Sequence, residues 1–166
     1  MELNYQRIVN HDMVNGEGLR VTLFVSGCEH ACRGCYNQST WNPNNGFEFT
    51  NKEVDKIIAL LDPPHISGLS LSGGDPLLGQ NLPAIHRLIK RVRSVYGDTK
   101  TIWMWTGYQY SELDPIRKMI ADLTDVVIDG KFIKELHDPS LQWRGSSNQI
   151  IYKIERAHDE VICHSE

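Results

Sequence analysis

Three of the four cysteines in this chain of 166 residues lie in one loop of eight residues, and no other feature constrains the fold and function as strongly. Cys28, Cys32 and Cys35 follow the spacing C-x3-C-x2-C. Because thiolates are soft ligands, three of them in so short a loop can converge on one metal centre. In a cubane 4Fe–4S cluster, three protein ligands leave one iron free for a ligand that is not protein. We therefore predict a cluster with one open coordination position.

Three other interpretations of the cysteine loop stay open on sequence alone. A disulfide would leave one of the three thiols unpaired, and nothing in the sequence indicates export. A zinc ion would need a fourth ligand, for which His30, Cys163 and His164 are available, but the usual second C-x2-C pair is missing. The cysteines could also be reduced core residues, although the loop is polar and contains Gly34. We expect His30 to line the loop and Cys163 not to be a ligand.

Composition and charge argue against several classes of function. With 40% hydrophobic and 23% charged residues, the chain is expected to form one globular domain over residues 1–166. The formal net charge of −4 argues against nucleic acid as a partner. No apolar run approaches the ~20 residues of a membrane span, and Met1–Tyr5 lacks the apolar core of a signal peptide. We therefore expect a cytoplasmic protein with no membrane partner, whose thiols stay reduced and available for metal.

Strand patterns alternate with helix patterns along the chain, and this order predicts right-handed parallel βαβ units. Strands are expected at residues 19–26, 66–72, 100–106, 125–128 and 148–154. Helices are expected from a capping box at Thr50, over residues 82–96 and over residues 111–123. Loops that follow parallel strands gather on one face of a sheet, where α/β proteins place their chemistry. The cysteine loop and the turns at 73–76, 106–108 and 129–131 should therefore meet.

Five segments of the chain, the first beginning at the last loop cysteine, together resemble a known family. They are Cys35-Tyr36-Asn37, Ser72-Gly73-Gly74-Asp75-Pro76-Leu77, Trp105-Thr106-Gly107-Tyr108, Asp129-Gly130-Lys131-Phe132 and Arg144-Gly145-Ser146-Ser147-Asn148-Gln149. With the cysteine loop, they resemble the glycyl-radical activases of the radical S-adenosylmethionine (SAM) superfamily. Within that family, the set is most similar to the members that act on anaerobic ribonucleoside-triphosphate reductase. The resemblance extends from about Tyr5 to Lys153.

The resemblance implies a fold, two cofactors and two partners. The fold would be an α/β partial TIM-type barrel, open on one side, with a 4Fe–4S cluster ligated by Cys28, Cys32 and Cys35. SAM would bind the fourth iron and be cleaved reductively, which would lead to a glycyl radical on the anaerobic ribonucleoside-triphosphate reductase. A flavodoxin-like protein would supply the electron. Because the cofactors carry this chemistry, no catalytic side chain is expected beyond them.

The resemblance also implies a set of residues that bind or shield SAM. In chain order, the expected contacts are Tyr36, Asn37, Gly73, Gly74, Asp75, Thr106, Asp129 and Lys131. Gly73 and Gly74 would let the backbone approach the ligand closely, and the Asp75 carboxylate would contact the methionine ammonium group. Asp129 would accept from the ribose hydroxyls, and Lys131 would neutralise the methionine carboxylate. Each segment also has a purely structural interpretation as a turn, an ion pair or core packing.

Two alternative functions stay open at this point. An activase of another glycyl-radical enzyme, such as pyruvate formate-lyase, would use the same chemistry on a different partner. A non-enzymatic adaptor would bind zinc through the cysteine loop and recognise another protein.

Overall fold

Seven strands form one open sheet in the computed structural model, which describes residues 3–156. The strands are β1 (Asn4–Asp12), β2 (Leu19–Val25), β3 (Phe47–Glu48), β4 (Ile66–Gly73), β5 (Thr101–Trp105), β6 (Val126–Asp129) and β7 (Ile150–Lys153). The helices are α1 (Asn51–Leu61), α2 (Leu82–Tyr96) and α3 (Pro115–Ala121). Cys163 and His164, considered above as possible zinc ligands, lie outside the described residues.

The centre of the sheet is parallel and its two sides are antiparallel. The strand order is β3-β1-β2-β4-β5-β6-β7, in which β2, β4, β5 and β6 run parallel to one another. β1 pairs antiparallel with β2 and β3, and β7 pairs antiparallel with β6. The predicted α/β class and the parallel order of the central strands are therefore confirmed. The strands β3 and β7 stand at opposite edges of the sheet, which leaves it open.

Two helices match their predicted positions, and the third is shorter than predicted. Thr50 caps α1 with the expected capping box, because its hydroxyl accepts from the amide of Lys52 and its own amide donates to the carboxylate of Glu53. The predicted helix at 111–123 was wrong at its start, since α3 begins at Pro115. Proline has no N–H to donate and suits the first helical position, while the Asp114 side chain accepts from the backbone three residues on. Within residues 3–156, none of the helices has the length and hydrophobicity needed to cross a bilayer.

Strand β1 was not predicted from the sequence. Its residues alternate poorly between polar and apolar, and its pairing with β2 shifts register between Tyr5 and Arg7 and again between Val9 and Asp12. Such irregularities change which face a side chain occupies, so the simple period of two is lost. The sheet therefore begins one strand earlier than the sequence pattern indicates.

The two faces of the sheet carry different side chains, since successive strand residues point to opposite sides. One face shares a core with the three helices; it includes Val21, Leu23, Leu71, Met104 and Val127. The opposite face carries Trp103, Val126 and Ile128, packed against Trp105, Trp143 and Ile151. All three helices thus cover one face, and the loops that follow the parallel strands remain available at the end of the sheet.

A buried arginine stabilises the face opposite the helices. Arg20 is 1% exposed and makes five hydrogen bonds, two of them to Thr101 and the others to Glu17, Leu69 and Ser70. These bonds use all five N–H donors of the guanidinium. Burial lowers the pKa of Arg20 to about 10. The side chain therefore holds the chain before β2 against β4 and β5.

Candidate functional site

The loops that follow the four parallel strands lie together at one end of the sheet. The amides of Gly74 and Asp75 donate to the carbonyls of Val25 and Gly27, at distances of 2.8 and 2.7 Å, which attaches the turn after β4 to the start of the cysteine loop. The amide of Gly130 donates to the carbonyl of Tyr108 at 3.2 Å, which attaches the turn after β6 to the turn after β5. Residues distant in sequence therefore form one site, as the parallel order predicts.

The cysteine loop presents three free, half-buried thiols. Its conformation is held by backbone hydrogen bonds from Cys28 to the carbonyl of Trp41, at 3.1 Å, and from Cys35 to the carbonyl of Cys32, at 3.2 Å. The amide of Asn37 donates to the Sγ of Cys35 at 3.3 Å. An N–H directed at a cysteine sulfur stabilises the thiolate form that binds iron. The three thiols are unpaired, which argues against the disulfide interpretation.

The grouping of possible ligands bears on the choice between a zinc ion and a cluster. Among residues 3–156, no three His, Cys, Asp or Glu side chains are grouped as ligands of one metal ion. A zinc ion needs its donors at about 2.0–2.3 Å from a single centre. A cubane cluster instead spreads its cysteine ligands, because each of them binds a different iron. Burial raises the pKa of the Cys28 thiol to about 11, so metal binding there has to displace a proton.

Asp75 is buried at the centre of the site, with 1% of its surface exposed. Its carboxylate accepts from the amides of Leu77 and Gly107, each at 2.9 Å, and from the hydroxyl of Thr106 at 2.9 Å. The fourth donor is Nε2 of His30, at 2.5 Å. A carboxylate offers about four acceptor positions, so the protein itself occupies those of Asp75. Thr106, predicted to contact SAM, is 4% exposed and directed at this carboxylate.

The two glycines before Asp75 make close backbone contacts within the protein. A Cβ on Gly73, whose φ is +102°, would lie 2.5 Å from the amide nitrogen of Val25. A Cβ on Gly74 would lie 2.5 Å from the carbonyl oxygen of Gly27. Only glycine allows this approach. The pair was predicted to let the backbone approach a ligand. In the structure, Gly73 lets the backbone approach the end of β2, and Gly74 lets it approach the start of the cysteine loop.

A cavity of about 840 Å³ opens beside the cysteine loop. Its wall includes Cys32 and residues of the turns after β5 and β6, and it extends to β7. The wall combines a carboxylate, an ammonium group, an amide and an aromatic ring, contributed by Asp129, Lys131, Asn148 and Phe132. The volume falls within the range of about 300–1,000 Å³ that is typical of small-molecule and cofactor sites.

Two of the predicted SAM contacts, Asp129 and Lys131, line this cavity. Asp129 is 3% exposed, and its two oxygens accept from the amides of Tyr110 and Ile150 at 2.7 and 3.2 Å. Lys131 is exposed, and its carbonyl accepts from Nδ2 of Asn148 at 2.8 Å. The Oδ1 atom of Asn148 is buried without a hydrogen-bond partner. A buried acceptor without a donor is costly, and a bound polar ligand is one way to satisfy it.

The segment from Arg144 to Gln149 is held beside the cavity by one glutamine. Oε1 of Gln149 accepts from the amides of Gly145 and Ser146, at 2.9 and 3.1 Å. Its Nε2 donates to the carbonyl of Gly130 at 2.9 Å. This side chain therefore fixes the shape of its own segment and attaches the segment to the turn after β6.

Tyr36 lies apart from the other predicted contacts. Its ring is 82% exposed and faces Phe132 and His137, at centroid distances of 6.4 and 6.3 Å. It does not line the cavity described above. Asn37, the next residue, contributes its amide to Cys35 and begins a short 3-10 turn at 38–40.

Sequence reasoning missed two residues of the cysteine loop that organise the site. His30, expected only to line the loop, donates to Asp75, and the carboxylate of Glu29 accepts from the hydroxyl of Tyr108. Burial and this hydrogen bond raise the pKa of Tyr108. The available signal was position, since both residues lie in the loop that follows β2, and the neighbouring parallel strands also end in polar turns. The identity of their partners required the three-dimensional structure.

Comparison with known proteins assigns the chain to a family. Residues 14–152 match the model of a 4Fe-4S single cluster domain. An anaerobic ribonucleoside-triphosphate reductase-activating protein from Vibrio cholerae is 51% identical over 154 residues, which is 92% of this chain and 99% of the relative. The chain belongs to the family of anaerobic ribonucleoside-triphosphate reductase-activating proteins.

Two further members of this activating-protein family show how widely the similarity extends. The Escherichia coli K12 protein is 50% identical over 154 residues, covering 92% of this chain and 99% of its own. The protein of Enterobacteria phage T4 is 45% identical over 150 residues, covering 90% of this chain and 94% of its own. The resemblance predicted from five short segments is therefore confirmed over most of the chain.

Proposed function

We propose that this protein is a radical SAM activase, an oxidoreductase that generates a glycyl radical on anaerobic ribonucleoside-triphosphate reductase. The proposal is carried by the similarity to two relatives that are named for this activation. About half of the aligned residues are identical, and each alignment covers 99% of the relative's length. The matching 4Fe-4S single cluster domain supports the cofactor. The three free thiols support its attachment through Cys28, Cys32 and Cys35. When bound, the cluster and SAM together supply the one-electron reductive cleavage that ends in a glycyl radical on the partner.

SAM would occupy the cavity beside Cys32. The wall of this cavity offers carboxylate, amide, ammonium and aromatic groups, which suit the charged ends, the ribose hydroxyls and the adenine ring of SAM. Lys131 would pair with the methionine carboxylate. Asp129 would use the acceptor positions left by its two backbone donors for the ribose hydroxyls. The unpartnered Oδ1 of Asn148 supports a polar ligand at this wall.

The remaining predicted residues would act on the ligand mainly through the shape of the site. Gly73 and Gly74 would bring the turn after β4 against the cysteine loop, and Asp75 with Thr106 would hold that arrangement. Tyr36 would shield the solvent side of the loop, and the amide of Asn37 would stabilise a ligand thiolate. In this proposal the chain forms one radical SAM domain, and the open sheet is the partial TIM-type barrel. A flavodoxin-like protein would reduce the cluster in a reducing cytoplasm.

The test is to mix the anaerobically reconstituted protein with SAM, a chemical reductant and anaerobic ribonucleoside-triphosphate reductase. Electron paramagnetic resonance (EPR) should show a glycyl-radical doublet only in the complete mixture. The matched control is Cys35→Ala, which should give no doublet. SAM cleavage with a doublet on pyruvate formate-lyase instead would overturn the choice of partner. A colourless protein that holds one zinc ion and leaves SAM intact would overturn the proposal as a whole.

A further inference from the structure

We propose that His30 is a positioning residue that fixes the cysteine loop in the geometry required for cluster binding, by acting through Asp75. We define the His30 clamp as His30, Asp75, Thr106 and Gly107. The inference rests on the proposed function for the identity of the cluster, but the clamp itself is a property of the protein chain.

The bond between His30 and Asp75 is short and shielded from water. Nε2 of His30 lies 2.5 Å from Oδ2 of Asp75, and the two side chains are 5% and 1% exposed. Because an ionised carboxylate only accepts, the imidazole N–H is the donor. Hydrogen bonds to charged groups in such surroundings are stronger than those between neutral groups. His30 lies between two of the three loop cysteines, so this bond attaches the middle of the loop to the turn after β4.

The imidazole ring of His30 is also held by contact with the turn after β5. A Cβ on Gly107 would lie 2.3 Å from Cδ2 of His30, so the ring rests directly on the glycine backbone. The ring of Tyr108 meets it edge-on, at a centroid distance of 4.5 Å and an angle of 74°. The neighbouring Glu29 accepts from the hydroxyl of the same tyrosine. Two successive loop residues therefore bind the turns that follow two different strands, β4 and β5.

The other side chains of the cysteine loop contribute little to holding its conformation. The ion pair between Arg33 and Glu135, at 2.9 Å, has side chains that are 77% and 65% exposed, so it contributes little. Ala31 adopts a φ of +51° and Gly34 a φ of +81°. A non-glycine residue in the left-handed region persists only where its surroundings impose it. The clamp is adjacent to Ala31 and supplies that constraint.

The test compares His30→Leu, which removes the donor, with His30→Gln, whose side-chain amide keeps an N–H at similar reach. His65→Leu is the control, because His65 is an exposed histidine before the start of β4, whereas the cysteine loop follows the end of β2. Three properties are measured in the full chain. They are thiol alkylation in the metal-free protein, the rate of iron loss to a chelator after reconstitution, and the EPR spectrum of the reduced cluster.

In the metal-free His30→Leu protein, the loop thiols should be alkylated about tenfold faster than in the unmodified protein. It should lose iron about tenfold to a hundredfold faster, the usual effect of removing a partner that orients a metal ligand. Its EPR spectrum should also change, which a general loss of stability would not produce. His30→Gln should restore most of each property, and His65→Leu should match the unmodified protein.

A second variant keeps the inference testable if His30→Leu does not fold. Gly107→Ala leaves every donor in place and only displaces the imidazole ring, so it should reproduce the same three changes. Unchanged alkylation, iron retention and EPR spectrum in either folded variant would overturn the clamp. If the unmodified protein binds no cluster, the proposed function fails, and the alkylation comparison in the metal-free protein still decides the clamp.

Discussion

Replacing Gly74 by alanine tests whether the glycine pair before Asp75 serves the packing of the cysteine loop. The added Cβ would lie 2.5 Å from the carbonyl oxygen of Gly27 and 3.0 Å from that of Thr40. Both neighbours are backbone atoms, which cannot move aside as a flexible side chain can. The turn after β4 would therefore have to shift away from the start of the cysteine loop.

The expected loss in the free energy of unfolding follows from the contacts that this shift would break. Two backbone hydrogen bonds join these segments, from Gly74 to Val25 at 2.8 Å and from Asp75 to Gly27 at 2.7 Å. Their loss costs about 1 kcal/mol each, and the steric strain adds about 1–3 kcal/mol. The lower chain entropy of alanine in the unfolded state offsets about 0.4–1 kcal/mol. The expected net loss in the free energy of unfolding is about 2–5 kcal/mol.

Urea unfolding of the metal-free Gly74→Ala protein under anaerobic conditions measures this loss, and iron analysis after reconstitution should show reduced cluster content. The matched control is Gly79→Ala, because the nearest atom to a Cβ there is Nη2 of Arg117 at 3.7 Å. That variant should stay within about 0.5 kcal/mol of the unmodified protein. A Gly74→Ala protein of normal stability that binds SAM poorly would refute the packing argument and show that the glycine serves the ligand.

Three further variants test other parts of the structure. Arg20→Met should lower the free energy of unfolding by about 3–5 kcal/mol in urea, since it leaves buried carbonyls without donors; a loss below about 1 kcal/mol would contradict the role of the buried guanidinium. Thr50→Ala should cost about 1 kcal/mol in the same assay, because it removes the cap of α1. Lys131→Met should weaken SAM binding about tenfold by calorimetry. Lys134→Met, outside the cavity, should bind SAM normally, and equal affinities of the two variants would count against the carboxylate contact.

The parallel centre of the sheet could be predicted because its signals are local. Residues 19–26 are rich in apolar and β-branched residues, residues 66–72 form a short apolar-containing segment, and each is followed by glycine. Thr50 begins a helix with a recognisable cap. From parallel order alone, the loops after these strands were expected to meet, and the hydrogen bonds of Gly74 and Asp75 show that they do. The fold class and the location of the site follow from such patterns.

The features that the sequence did not predict depend on tertiary contacts. β1 lacks a regular pattern because its ladder is irregular. The role of His30 depends on a carboxylate 45 residues away, and no local pattern indicates that distance or partner. Asp75 carries the motif expected of a ligand contact, whereas its acceptor positions are filled by the protein. A motif can therefore locate a site without showing which atoms face the ligand.

The central claim is tested most directly by iron and sulfide analysis, after anaerobic reconstitution, of four variants that each have one cysteine replaced by alanine. The unmodified protein should hold about four irons per chain. Cys28→Ala, Cys32→Ala and Cys35→Ala should each lose the cluster and the ability to cleave SAM, whereas Cys163→Ala should keep both. Loss of the cluster in Cys163→Ala would contradict the account, because a fourth protein ligand would close the iron position that SAM is proposed to occupy.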